Sequence, residues 1–273
     1  TEIYTLSLHD ALPIYHRQQQ AGNFQNQIFQ MIEGEKLGSF WGYTFAGVWQ
    51  EDDVNAPFVD ANGQTNGKTN GEVYKVKPGN SKYVDVNKDG VYNDADQGII
   101  GCGQPTFNWG WNNTFNYKNF DFSFFVVGFH GFDIYNATHQ MGYNLIKSQQ
   151  MAGVTPMREL LNRWTPTNTN TDIPGFVKGG TENKDFFSTR FVENGSFIKM
   201  KSITLGYTLP EATCRSLGIN NLRVYASVQN PFHITKYSGL DPEATMGSPL
   251  VQGVDWGAYP NSRNYLIGLN FSF

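Results

Sequence analysis

The C-terminal segment of the chain alternates with a period of two. Tyr265, Ile267, Leu269, Phe271 and Phe273 take every second position, with Asn264, Gly268, Asn270 and Ser272 among the residues between them. A period of two belongs to a β-strand with one apolar and one polar face, and no helix can hold it on one side. The same period recurs upstream. From Phe107 to Tyr117 the odd positions are aromatic except for Asn113, and every even position is polar or Gly. After Lys118 and Asn119, Phe120, Phe122 and Phe124 alternate with Asp121 and Ser123, and the run then becomes apolar on both faces through Phe125, Val126, Val127 and Phe129. These two segments predict a hairpin with a tight turn. Ile203, Leu205, Tyr207 and Leu209 alternate with Ser202, Thr204, Gly206 and Thr208, and Leu222, Val224, Ala226 and Val228 with Arg223, Tyr225, Ser227 and Gln229. Weaker strand candidates lie around Phe24 to Ile32 and Phe40 to Trp49, and the only helical signal runs from Met157 to Trp164. The fold class is all-β.

Long polar stretches separate the strands, at 51–84, 131–155, 165–185 and 236–262. Such lengths are uncommon in compact soluble domains, whereas outer-membrane barrels carry short turns at one end and long loops at the other. Composition agrees: aromatics make up 15% of the chain and charged residues only 16%, against about 25% charged in a typical soluble domain. A mean hydropathy of -0.44, with no uninterrupted apolar stretch long enough, excludes a transmembrane helix. It does not exclude strands that spend alternate residues on lipid. A soluble β-sandwich is the competing architecture, since its strands alternate as well. With a net charge of -4 and no run of Lys or Arg, the chain has no footing for nucleic acid. Cys102 and Cys214 read as free thiols.

One segment carries ligand chemistry. Asp85, Asn87, Asp89, Val91 (through its carbonyl), Asn93 and Asp96 fall at positions 1, 3, 5, 7, 9 and 12 of a calcium-loop pattern, with Gly90 at the sharp turn. Calcium accepts six to eight hard oxygens in flexible geometry, and this loop offers about six. Asp96 is shorter than the Glu of an EF-hand, and no flanking helices are evident. Two readings stand: a bound Ca2+, or a tight turn whose side chains bond their own backbone. Catalytic patterns are missing. His9, His16, His130, His139 and His233 lack metal-ligand spacing, and no nucleophile elbow or phosphate loop occurs. The glycines from Gly98 to Gly103 read as part of a polar bend, and the chain does not read as an enzyme.

Short blocks then follow one another in a recognisable order: Gly38 to Tyr43, Gly47 to Gln50, Lys77 to Gly79, the loop from Asp85 to Asp96, and Ile99 to Gly101. Pro105 to Phe107, Gly131 to Asn136, Leu161 to Thr165, Thr171 to Pro174, Phe197 to Lys201 and Ile203 to Tyr207 come next. Asn230 to Phe232, Tyr237 to Glu243, Tyr259-Pro260 and the closing strand complete the series. In these blocks the chain resembles the C-terminal part of a SusC/RagA-type TonB-dependent outer-membrane transporter, over roughly residues 20 to 273. The resemblance implies a partial antiparallel transmembrane β-barrel, the last strands of a barrel of about 22, with long extracellular loops and a plug domain lying elsewhere. It implies energised import of an oligosaccharide or peptide substrate across the outer membrane of a Gram-negative, Bacteroidetes-like cell. The partners it implies are a SusD-like surface lipoprotein as lid, the TonB complex, outer-membrane lipid and the barrel-assembly machinery. Tyr265, Ile267, Leu269, Phe271 and Phe273 resemble the signal that this machinery reads. No cofactor is implied beyond the possible Ca2+. No residue is assigned to substrate contact: Phe132, Tyr135, Tyr143 and Trp256 could stack on sugar rings, but packing in the girdle or the loops is the commoner reason for such aromatics. Trp109, Trp111, Phe115, Ile267, Leu269 and Phe271 are expected to meet lipid, and Asn108, Asn112, Asn116, Asn270 and Ser272 the lumen. Residues 1–14 have no counterpart in this pattern and resemble translated sequencing adapter. The alternative class is a soluble extracellular calcium-binding β-domain that binds glycans.

Overall fold

A computed structural model describes residues 28–29, 34–143, 157–175, 186–216, 218–245 and 252–272. Residues 1–14, most of the 24–32 strand candidate and Phe273 lie outside the described residues. Among the described residues there are fourteen strands: β1 (Ser39–Tyr43), β2 (Phe45–Val48), β3 (Pro57–Val59), β4 (Thr65–Thr69), β5 (Ser81–Tyr83), β6 (Gln97–Cys102), β7 (Phe107–Tyr117), β8 (Phe120–His130), β9 (Asp133–Asn136), β10 (Val192–Asn194), β11 (Phe197–Thr208), β12 (Asn221–Thr235), β13 (Val254–Asp255) and β14 (Asn264–Ser272). The five long ones form a single antiparallel sheet in the order β14-β12-β11-β8-β7.

The predicted hairpin is β7 and β8, joined at Lys118 and Asn119, with Lys118 in the left-handed region at φ 51. The Asn119 side chain donates to the Thr208 carbonyl at 2.7 Å and so stitches the turn to β11. At the same end, β11 and β12 are joined by residues 209–220, which hold one short helix, Glu211–Ser216. The opposite end of the sheet receives every long connection: 34–106 before β7, 131–196 between β8 and β11, and 236–263 between β12 and β14.

The long connections are not structureless. They pair as β1 with β6, β2 with β5, β3 with β4, and β10-β9-β13. Most of the buried core lies there. One cluster joins Ile28, Phe40, Tyr135, Ala137, Phe191 and Val254. A second joins Phe132, Ile134 and Tyr237 to Val127 of β8 and Phe197 of β11, so the loops seat on the end of the sheet. This explains why β8 becomes apolar on both faces after Phe124. Two expectations are corrected. From Gly98 to Cys102 the stretch is strand β6, with β1 supplying its ladder from Tyr43↔Gln97 to Ser39↔Cys102, and only Gly103 lies in a bend. Gly103, just past the strand, serves close approach, since a Cβ there would overlap the Gln252 carbonyl; within β6, Gly101 lies close against Val192 and Phe40, and Gly98 has open space beside it. The helical stretch from Met157 to Trp164 shrinks to a 3-10 turn at Arg158–Asn162, whose N-cap has no side-chain hydrogen bond.

Candidate functional site

The largest surface with a chemical character of its own is the five-stranded sheet. Residues directly opposite one another across an antiparallel pair share a face. Phe107, Trp109, Trp111, Phe115 and Tyr117 of β7 therefore share a face with Phe120, Phe122 and Phe124 of β8. The registers carry that face on through Ile203, Leu205 and Tyr207 of β11, then Val224, Ala226 and Val228 of β12, to Leu269, Ile267 and Tyr265 of β14. The side chains expected on lipid thus stand on one side. Asn108, Asn112, Asn116, Asn270 and Ser272 stand on the other. Among the described residues the apolar face has no second layer: Phe115 is 55% exposed, Ile267 81% and Leu269 61%. A β-sandwich would cover it. The five strands run 9 to 15 residues, enough for a tilted strand to cross a bilayer at about 9–11 residues.

On the polar face, at the end where the loops gather, β11 and β12 bulge together. Lys201 is the extra residue of one strand, opposite Asn230 and Pro231 of the other. Beside the bulge, Lys199 is 2% exposed, and its Nζ donates to Asp241 Oδ2 at 2.9 Å and Glu243 Oε2 at 2.7 Å. Lys201 pairs with the second oxygen of Glu243. Asn261 reaches both carboxylates through its side-chain amide, at 3.1 and 3.0 Å. Burial opposes the charged form of Asp241, but Lys199 and two backbone N–H groups outweigh it and hold the carboxyl below the usual range. In the sequence Lys199 and Lys201 fall in one block and Asp241 and Glu243 in another, with Lys199 42 and 44 positions from the two carboxylates, and nothing local brings them together.

In the 85–96 loop, Asn87 and Asn93 both turn their amides onto Asp89 Oδ2, at 2.9 and 3.1 Å, and Asn93 also meets the Val91 carbonyl at 3.2 Å. A half-turn of either amide presents oxygen in place of nitrogen, at the cost of the bond that its Oδ1 now accepts, from the Asp89 N–H at 3.1 Å in Asn87 and from the Ala95 N–H at 2.8 Å in Asn93. Asp85 Oδ2 accepts from the Tyr74 hydroxyl and the Gly90 N–H, each at 2.8 Å, while its Oδ1 is buried without a hydrogen-bond partner. Burial, then the bond to Asp85, push the Tyr74 phenol far above its ordinary value. Asp96 does not join the others: its carboxylate accepts the Val86 and Asn93 N–H groups at 2.8 and 3.0 Å. Among the described residues, no three His, Cys, Asp or Glu side chains are placed together to hold a metal. The donors at the first five ligand positions fit calcium in kind, with two carboxylates among them, and a low charge count means low affinity.

Of the aromatics considered for stacking on sugars, Phe132 and Tyr135 are core residues, 2% and 0% exposed. They are corrected on that ground. Tyr143 lines an open cavity of about 260 Å³ together with His139, Glu159, Asp172, Arg190 and Phe191. The Arg190 guanidinium lies 5.1 Å from the centres of both the Tyr143 and the Phe191 rings. Trp256 is 44% exposed.

No family model matches the chain. Among curated proteins it is 34% identical over 259 residues to TonB-dependent receptor P3 of Formosa agariphila, covering 92% of this chain and 24% of that one. It is 32% identical over 199 residues to TonB-dependent receptor SusC of Bacteroides thetaiotaomicron, covering 72% of this chain and 18% of SusC. The chain belongs to the SusC/RagA-type TonB-dependent receptors. Among solved structures, the RagAB peptide importer in its open-open state superposes with a TM-score of 0.61 at 24% identity, over 86% of this chain and 22% of that one. That likeness shows the fold: the sheet is part of the wall of a SusC-like barrel. The chain spans about a quarter of the length of the curated relatives it matches. The named relatives are receptors and an importer.

Proposed function

We propose that the receptor to which this chain belongs imports a large nutrient, an oligosaccharide or a peptide, across the outer membrane with energy from the TonB complex. In this reading the chain forms part of the barrel wall and the loops above it. The observation that carries it is the continuous apolar face across five strands, backed by a polar face of Asn, Ser, Thr and Asp. Lipid is the solvent that such a face needs, and a hydrated pore suits the other. The end with short turns then faces the periplasm. The loop cluster faces outward, where a SusD-like lipoprotein would close over it. Barrel-assembly machinery would read Tyr265, Ile267, Leu269 and Phe271, together with Phe273. Brominated lipid tests the reading: Trp111, exposed on the apolar face, should be quenched in the full receptor reconstituted in vesicles. A Trp placed at Asn112 should not. Equal quenching at both positions would overturn it.

A second reading concerns the 85–96 loop. The buried, unpartnered Asp85 Oδ1 favours a weakly bound Ca2+, held by Asp85, Asn87, Asp89, Asn93 and the Val91 carbonyl, over a turn closed only by its own hydrogen bonds.

A further inference from the structure

Strands that alternate strictly have a register problem. A one-residue slip would throw every apolar side chain of β14 to the wrong face. A two-residue slip would not, because Tyr265, Ile267, Leu269 and Phe271 are interchangeable in kind and the backbone ladder repeats every two residues. Hydrophobic patterning therefore does not select the observed pairing of Tyr225 with Gly268.

One row on the polar face does. Asn116, Asp121, Gly206, Tyr225 and Gly268 stand in line across β7, β8, β11, β12 and β14. In the last four of these strands, large side chains alternate with bare backbone. Arg223 reaches over Gly206 to grip Asp121, with Nε 2.8 Å from Oδ1 and Nη2 2.5 Å from Oδ2. Its guanidinium carbon also lies 4.9 Å from the centre of the Tyr225 ring. A Cβ at Gly206 would overlap the Asp121 carboxylate and the Arg223 guanidinium, and a Cβ at Gly268 would overlap the Tyr225 ring. Neither glycine has a positive φ, so each position needs the absence of a side chain and not an unusual backbone. Gly206 is the only glycine of β11, and Gly268 the only glycine of β14.

We propose that the register of β11, β12 and β14 is selected by this row, Gly206 and Gly268 forming slots for a flat Asp121–Arg223–Tyr225 layer. A two-residue slip of β14 would bring Leu266 or Asn270 under the Tyr225 ring and close the slot. At the loop end a second contact acts in the same sense: the Asn261 N–H, three positions before β14, bonds Asp241 at 3.1 Å. The inference concerns how the wall is aligned and is independent of what passes through it.

The test is cross-linking in the full-length receptor, inserted in the outer membrane, with Cys102→Ser and Cys214→Ala removing this chain's two thiols and Asp241→Ala removing the acceptor of the loop contact. A Gln229→Cys/Asn264→Cys pair reports the observed register, and Ser227→Cys/Asn264→Cys reports β14 shifted by two. With glycine at 268 the first pair should cross-link at least tenfold more than the second. Moving the glycine, by Leu266→Gly with Gly268→Leu, should reverse that preference. An unchanged preference would overturn the proposal. A second experiment covers failure to insert. Gly268→Ala should reduce the inserted receptor severalfold, and adding Tyr225→Ala should restore it. If Tyr225→Ala does not restore insertion, the ring is not what the slot accommodates and the proposal fails.

Discussion

Lys199 shows how much a single side chain can hold in place here. It is a buried cation on the polar face, and its two hydrogen bonds tie the 236–263 connection to the wall through Asp241 and Glu243. Removing one partner of a buried pair leaves the other uncompensated. Lys199→Met should therefore destabilise the folded receptor by about 3–5 kcal/mol, read as a shift in the urea midpoint. The pH dependence follows from Asp241, whose carboxyl lies below its unfolded value. A depressed folded pKa contributes stability above the unfolded value, near 3.9, and loses it as pH falls through the folded value. Stability from this site should be flat at neutral pH, should fall below about pH 4, and the fall should be smaller in Asp241→Asn. Asn113 is the opposite case. It interrupts the apolar face opposite Phe124, and its Nδ2 is buried without a hydrogen-bond partner. Asn113→Leu should raise stability by about 1–2 kcal/mol in the same assay, the usual cost of an unmet polar group.

At the scale of elements, β7, β8, β11, β12 and β14 were legible because each carries a period-two pattern over many residues, and the Lys118-Asn119 turn because it is short and polar. The short strands were not. β3 and β13 have three and two residues, too few to show a period, and β6 was obscured by Gly98 and Gly101 within it and by Gly103 after it, the last in contact with Gln252 and Gly253. Nor could any local pattern assign Phe132 and Tyr135 to the core, since their partners Phe197 and Phe40 lie far away in sequence. The 85–96 loop was legible as a sequence of ligand types, and the departure of Asp96 to cap the Val86 and Asn93 N–H groups was not. With two carboxylates remaining, calcium should bind at roughly 0.1–1 mM. Millimolar calcium is expected to raise the melting temperature of the receptor by a few degrees, and Asp85→Asn to abolish the rise. No shift in the parent receptor would mean that the loop is closed by its hydrogen bonds alone.

At the scale of the whole molecule, the buried core and the long sheet occupy different places. The loops hold most of the buried residues, while the sheet keeps its apolar side chains exposed on one face. In water that arrangement would be a large unprotected patch; against lipid it is the ordinary state of a barrel wall. The two faces of β14 separate these cases, because adjacent residues sample opposite environments. Leu269 is 61% exposed on the apolar face, and Asn270 lies beside it on the polar face. In the full receptor folded into vesicles, Leu269→Lys should cost about 2–4 kcal/mol, the penalty for a cation near the bilayer midplane, whereas Asn270→Lys should change stability by less than about 0.5 kcal/mol. The asymmetry should vanish for Phe271→Lys against Ser272→Lys, whose positions at the short-turn end let a lysine reach the headgroups. Equal costs at 269 and 270 would place protein or water, and not lipid, against the apolar face.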